Sequence, residues 1–209
     1  MEYRNSIIKS GSGDRLNKLI QERLKPGADK EKIDNRIWDL FGEEWCVMFT
    51  DLSGFSRSVA KFGIIHFLQT IYESERIFMP IIGDNDGILL KEEGDSLMII
   101  FRRVEKAIKA SVEMQRALKE YNVNKADEEK VLLCVGLGFG RILRLGDSDV
   151  FGAEVNAASK LGEDTAKAWE ILATEAVKKE TQNSPDIDFE PIEGVLPGSE
   201  RAYKLIYKI

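Results

Sequence analysis

The 209-residue chain has one histidine, His66, two cysteines, Cys46 and Cys134, and no strong excess of positive charge. Each scarcity closes off a class of chemistry. His66 sits inside the apolar helical pattern GIIHFL and reads as a packing residue. With no second histidine, a histidine-dependent triad or a histidine-built metal site is excluded. The two cysteines lie inside apolar runs with no CxxC spacing, so they read as reduced core residues of a cytoplasmic protein. Long hydrophobic runs are also missing. The longest, Val131 to Gly140, is too short to span a bilayer and is flanked by Lys130 and Arg141. MEYRNSIIKS has no sustained apolar stretch, so no secretory or transit signal is expected. Lys and Arg total 30 against 36 Asp and Glu, a net charge of −6. That balance argues against a nucleic-acid partner, which needs a basic footprint. A small anionic ligand held by local cations or a metal stays open.

What is present is a chain 43% hydrophobic and 32% charged, the composition of a globular protein with one sizeable core. Two short amphipathic helices are expected after the SGSGD turn. Leu16, Leu19, Ile20 and Leu24 share a face of the first, and Ile33, Ile37, Trp38 and Phe41 share a face of the second, with Asp29 as its N-cap. From Trp45 the pattern becomes that of a buried strand through Leu52. A helix follows over Gly63–Ile82, with Ile64, Phe67, Leu68, Ile71 and Phe78 inward and Pro80 kinking or ending it. Ile88–Lys91 and Ser96–Phe101 form a hairpin around EEGD. A second long helix covers Val104–Tyr121. Val131–Gly138 and Arg141–Leu145 read as consecutive strands, Val155–Leu161 as a short helix, and Glu170–Thr174 as a strand before a helix over Glu175–Glu180. Two strands around PGSE close the chain. This order predicts an α/β (α+β) fold, a ferredoxin-like βαββαβ sandwich with additional C-terminal strands and helices. Residues 1–41 form a helical extension and residues 42–209 the main domain.

Two carboxylates stand out by position. In CVMFTDLSGF, Asp51 ends an apolar strand, and in KEEGDSLM, Asp95 sits at the hairpin tip. A ferredoxin-like core makes these strands neighbours, so both carboxylates reach one edge. Paired oxygen ligands with open positions suit Mg²⁺ or Mn²⁺ together with substrate phosphates. Ser53, Gly54 and Phe55 read as the start of a helical turn whose free N–H groups would favour phosphate. Taken singly, Asp51 also reads as an N-cap and Asp95 as a turn residue. The string GLGFG (Gly136–Gly140) has GxGxG rather than GxGxxG spacing and precedes a strand, so a dinucleotide loop is excluded. Tight packing and a β-turn account for its glycines.

In combination these motifs resemble the class III adenylate/guanylate cyclase family. FTDLSGF and KEEGDSLM are similar to its two metal motifs, DVFGAEVNAASKL (Asp149–Leu161) to its substrate motif, and LLCVGLGFGRIL to the strands between them. The resemblance runs over roughly residues 45–209. It implies that Asp51, Asp95 and the Leu52 carbonyl bind two Mg²⁺ or Mn²⁺ ions per site. It implies further that Lys91 and Asp149 select the base, that Asn156 orients the ribose, and that Lys160 stabilises charge on the phosphate. It also implies a homodimer with composite sites. One chain would give Asp51 and Asp95, the other Lys91, Asp149, Asn156 and Lys160. The implied reaction converts ATP to cyclic AMP and pyrophosphate. EEGDSL is not the GGDEF-type hairpin of a diguanylate cyclase.

Three departures from the family pattern bear on catalysis. Lys160 stands where an arginine is usual, and the GVLPGSE loop (Gly194–Glu200) has no lysine. Glu92 and Glu93 place extra negative charge beside the hairpin tip. These departures keep two alternatives in view: a weak or inactive nucleotide-binding or dimerisation module, and a cyclase for another base, GTP or a pyrimidine nucleotide.

Overall fold

The computed structural model describes residues 11–54, 61–184, 186–192 and 201–208. Its centre is β1 (Gly42–Leu52), whose alternating side chains feed two cores. Cys46 and Met48 enter one, while Trp45 and Val47 enter the other. A strand covered on both faces reads as a near-continuous apolar run, which is why it was legible from sequence.

The chain then runs through α3 (Ile64–Asp84), β2 (Ile88–Glu93), β3 (Ser96–Phe101), α4 (Val104–Asn122) and β4 (Leu133–Leu145). These strands lie in the order β2-β3-β1-β4, all neighbours antiparallel, which is the expected βαββαβ core. Beyond β4 the sheet continues through β6 (Ile171–Thr174), β8 (Ala202–Ile206) and β7 (Asp188–Ile192), with β6 parallel to β4. The short β5 (Asp149–Phe151) pairs with the far end of β4. The result is a mixed α/β fold on a mixed sheet.

Helices α3 and α4 cover one face, burying Phe78, Ile82, Ala107, Met114 and Leu118 with Ile99, Phe101 and Leu137. The short helix α6 (Glu175–Glu180) adds Val177 to the same core. On the opposite face, α5 (Ala153–Ser159) packs Val155 and Ala158 against Trp45, Met98 and Ile142. At the N-terminal side α1 (Ser12–Arg23) and α2 (Lys30–Phe41) form a hairpin, clipped by Arg23–Asp34 and Arg36–Glu22 ion pairs. The Asp29 side chain caps α2 by accepting the Lys32 N–H at 3.0 Å. Leu19, Ile33, Ile37 and Phe41 close a small core against Leu143 and Leu145 of β4.

Three local expectations change. Pro80 lies inside α3, which runs on to Asp84. Ile64 and Leu68, expected inward, are each 54% exposed, while Phe67 carries the burial at that end. The two strands drawn around GLGFG are one 13-residue strand, β4. Its glycines are therefore not in a turn; they let another backbone lie directly on the sheet. A Cβ at Gly136 would fall 2.1 Å from the Ala158 carbonyl oxygen and 2.3 Å from the Gly162 nitrogen. One at Gly138 would fall 2.3 Å from the Glu154 carbonyl oxygen. The packing half of the expectation holds, and the turn half fails.

Candidate active site

Asp51 comes to the sheet edge because β1 stays paired with β4 to Leu52, setting Asp51 opposite Cys134. Asp95 arrives through the β2–β3 turn, where Gly94 takes a φ of +66°, a conformation that favours glycine. Thr50 pairs with Leu97, and its hydroxyl accepts the Leu97 N–H at 3.2 Å, so the two aspartate-bearing segments are tied together. Hydrogen bonding from the Leu52 main chain favours the charged form of both carboxylates, but does not prevail. Burial, then the charges of Asp95 and Glu163, push the Asp51 carboxyl up to about 6. Burial raises the Asp95 carboxyl as well. Among the described residues, Asp95 Oδ2 is buried without a hydrogen-bond partner.

Two desolvated carboxylates side by side, one with an orphaned oxygen, disfavour ionisation unless a cation sits between them. Among the described residues no group of three or more His, Cys, Asp or Glu side chains gathers as a metal site. The donor set is thus two carboxylates and a neighbouring main-chain carbonyl. It fits a hard divalent ion that keeps open positions for phosphate oxygens, the manner of Mg²⁺.

A cleft of about 260 Å³ opens beside this pair, lined by Phe49, Lys91, Ser96, Met98, Asp149, Phe151 and Asn156, with Glu93 and Glu163 also in its lining. A β-bulge between Leu89 and Lys91 shifts the register of β2 and re-aims Lys91. Lys91 Nζ meets Asp149 Oδ2 at 2.7 Å, and Asp149 Oδ1 accepts the Val150 N–H at 2.9 Å. Asn156 is exposed on the cleft side of α5. Ser96 links the two regions; it lines the cleft and its hydroxyl approaches Asp51 Oδ1 at 3.5 Å.

The structure therefore brings together Lys91, Asp149 and Asn156, and separately Asp51, Leu52 and Asp95. Lys160 does not line the cleft. It begins a π-helical turn (Lys160–Thr165) and pairs with Asp164 at 2.5 Å. Ser53 and Gly54 form a turn in which Gly54 has a φ of +90° and the Ser53 N–H donates to the Leu132 carbonyl. The Ser53 N–H is therefore not free for phosphate. Phe55 and the GVLPGSE loop lie outside the described residues.

Glu93 faces the cleft as Lys91 does. Glu92, on the opposite side of the strand, faces α3, where its charge adds to the burial that raises the Glu75 carboxyl. Sequence reasoning missed Glu163, whose place depends on the π-helical register after α5. Its only signal was an acidic pair, Glu163-Asp164, directly after the DVFGAEVNAASKL motif.

The model of the adenylate and guanylate cyclase catalytic domain matches residues 42–198. The serine/threonine-protein kinase pkn2 of Myxococcus xanthus is 27% identical over 160 residues, covering 76% of this chain and 19% of that protein. A Rhizobium meliloti (strain 1021) protein named "Putative adenylate cyclase 3" is 24% identical over 143 residues, 68% of this chain and 24% of that protein. The matched part is thus a fifth to a quarter of these relatives' lengths.

Among solved structures, an adenylate/guanylate cyclase/hydrolase from Silicibacter pomeroyi superposes with a TM-score of 0.68 at 20% identity, covering 80% of this chain and 99% of that one. The adenylyl cyclase CyaB from P. aeruginosa gives 0.68 at 17% identity, covering 80% and 96%. The guanylate cyclase domain of RhGC from Catenaria anguillulae, in complex with GTP, gives 0.67 at 17%, covering 80% and 98%. These likenesses establish the fold. With the family match spanning residues 42–198, the chain belongs to the adenylate and guanylate cyclase catalytic domain family, the class III cyclases.

Proposed function

We propose that this chain is the catalytic part of an adenylate cyclase that converts ATP to 3′,5′-cyclic AMP and pyrophosphate at sites shared between two copies. Residues 42–209 form the catalytic domain in this reading, and residues 1–41 a helical extension of a cytoplasmic enzyme. The observation that carries it is the Lys91–Asp149 pair, 2.7 Å apart in a cleft that also presents Asn156. A lysine donor and a carboxylate acceptor match a ring nitrogen and the exocyclic amine on the adenine edge. Apolar Phe49, Met98 and Phe151 suit the faces of the base, and Asn156 orients the ribose.

The triphosphate belongs elsewhere. Glu93 and Glu163 repel it from this cleft, and the cation-holding pair Asp51/Asp95 is outside the cleft lining of the same chain. Composite sites resolve the conflict, because a partner copy brings its own Asp51 and Asp95 to the phosphates. Asp51, Asp95 and the Leu52 carbonyl would hold Mg²⁺ or Mn²⁺. Two such ions, when bound, lower the pKa of the ribose 3′-hydroxyl and offset phosphate charge. The 3′-hydroxyl gives its proton to solvent water as its oxygen attacks the α-phosphorus, the bond from that phosphorus to the α–β bridging oxygen breaks, and pyrophosphate leaves with that oxygen. No protein nucleophile takes part, which agrees with the scarcity of histidine. Lys160 neutralises phosphate charge once it leaves Asp164.

A second reading, nucleotide binding or dimerisation with weak turnover or none, is favoured by one observation: Lys160 is held by Asp164 rather than aimed into the cleft. Lysine also lacks the planar two-point grip of arginine. Mixing Asp51→Ala chains, inactive alone, with Asn156→Ala chains, strongly impaired alone, tests the composite site. Activity returns in the mixture if sites are shared. No recovery in verified heterodimers contradicts the proposal.

A further inference from the structure

We infer that Glu154 is a positioning residue that sets the orientation of Asn156, an assignment that rests on the cyclase reading. Glu154 Oε2 accepts two hydrogen bonds from different strands: the Phe139 N–H of β4 at 3.0 Å and the Thr174 hydroxyl at the end of β6 at 2.7 Å. The need for it follows from the sheet. β4 pairs with β6 only through Leu137 and with β5 only from Leu143. Among the described residues the edge between them has no strand partner, and the carboxylate of Glu154 takes the place of a strand carbonyl there. Gly138 and Gly140 clear the approach. A Cβ at Gly138 would meet the Glu154 carbonyl oxygen at 2.3 Å, and one at Gly140 would meet Glu154 Cγ at 3.1 Å.

Thr174 supplies a second, independent sign. It occupies the N-cap position of α6, where a threonine hydroxyl ordinarily accepts a main-chain N–H of the first turn. It makes no such capping bond, and its hydroxyl goes to Glu154 instead. The contact is kept at the expense of a helix cap.

Asn156 follows Glu154 by two residues, a turn of roughly 200° around the helix. Glu154 therefore faces the sheet while Asn156 faces the cleft. α5 has seven residues, no side-chain cap at its N-terminus, and only Val155, Ala157 and Ala158 buried. Two of those three are alanines, which resist sliding or rotation weakly. The doubly accepting carboxylate is the directional tie that fixes the rotation of α5, and with it the amide that faces the ribose.

The test is a mutant cycle with steady-state kinetics on ATP, run below the unfolding midpoint of every variant. Glu154→Ala lowers kcat about tenfold or more, approaching the order of 10²-fold that a full 1 Å misplacement costs, while KM stays within about twofold. Glu154→Gln, whose amide oxygen still accepts both bonds, recovers to within about threefold of wild type. Thr174→Val removes one of the two bonds and falls between them. In an Asn156→Ala background the Glu154→Ala loss shrinks below about twofold, because the residue it acts through is gone.

Unchanged kcat in Glu154→Ala overturns the inference. So does an equal loss in Glu154→Ala and Glu154→Gln, or an equal loss with and without Asn156. If Asn156→Ala is too slow to measure, the kcat-against-KM split and the glutamine rescue decide. Wild-type protein that cyclises no nucleotide removes the cyclase reading and this inference together. Wild-type turnover indifferent to Glu154 removes only the inference.

Discussion

Replacing Gly136 by alanine tests how the site is mounted on the sheet. The new methyl would lie 2.1 Å from the Ala158 carbonyl oxygen, 2.3 Å from the Gly162 nitrogen and 2.9 Å from the Gly162 Cα. All three are main-chain atoms, so no side chain can swing aside. Reaching ordinary contact near 3.4 Å requires the α5 and π-helical segment to retreat by about 1.3 Å. Overpacking of this kind costs about 1–3 kcal/mol, and the high end applies where only backbone can yield. For a chain of this length about 3 kcal/mol lowers Tm by roughly 6–12 °C. The same retreat moves Asn156, and a 1 Å displacement costs on the order of 10²-fold in turnover. Thermal unfolding and cyclase kinetics read the two effects. Gly13→Ala in α1, where nothing lies within 4 Å, is the control; it leaves stability unchanged or raises it by up to about 1 kcal/mol. A Gly136→Ala protein with wild-type Tm and wild-type kcat would refute the reasoning.

Asp95→Asn removes the carboxylate with the orphaned oxygen, so Mn²⁺ loses a ligand while the metal-free protein holds or gains slightly in stability. In thermal unfolding, Mn²⁺ at about a hundred times its Kd raises the wild-type Tm by roughly 5–10 °C and leaves Asp95→Asn unmoved. An equal rise in both proteins counts against the pair as a cation site. Tyr207 is held protonated by burial, then by the charge of Glu170, and its hydroxyl donates to the Trp169 carbonyl at 2.5 Å. A raised folded-state pKa gives stability that is fully present below the unfolded value of 10.0 and lost as pH rises above it. Tm therefore falls between pH 10 and 11.5, and Tyr207→Phe shows a shallower fall; identical slopes contradict this assignment.

Much of this architecture was legible because its causes are local. The apolar run before Asp51, the EEGD turn with its glycine and the amphipathic period of α4 each need only a few neighbouring residues. The errors arose where distant contacts decide. GLGFG resembles a turn in isolation, yet its glycines are placed by α5 crossing β4, a contact between segments about twenty residues apart. Ile64 and Leu68 fit a helical face, yet each stays 54% exposed while Phe67 carries the burial at that end. The pairing of Lys160 with Asp164 is a local contact, but it and the place of Glu163 in the cleft lining depend on the π-helical register, which nothing in the residue spacing encodes. Glu154 passed as an ordinary helix residue because both of its hydrogen-bond partners lie on other elements.

The central claim is tested most directly by incubating the purified protein with each of ATP, GTP, CTP and UTP, with Mg²⁺ or Mn²⁺, and identifying products by mass. The account predicts cyclic AMP and pyrophosphate from ATP, little product from the other three, and none from Asp51→Ala. A cyclic product from GTP or a pyrimidine nucleotide in preference to ATP would contradict the assignment of Lys91 and Asp149 to adenine. No cyclic product from any nucleotide would contradict catalysis itself.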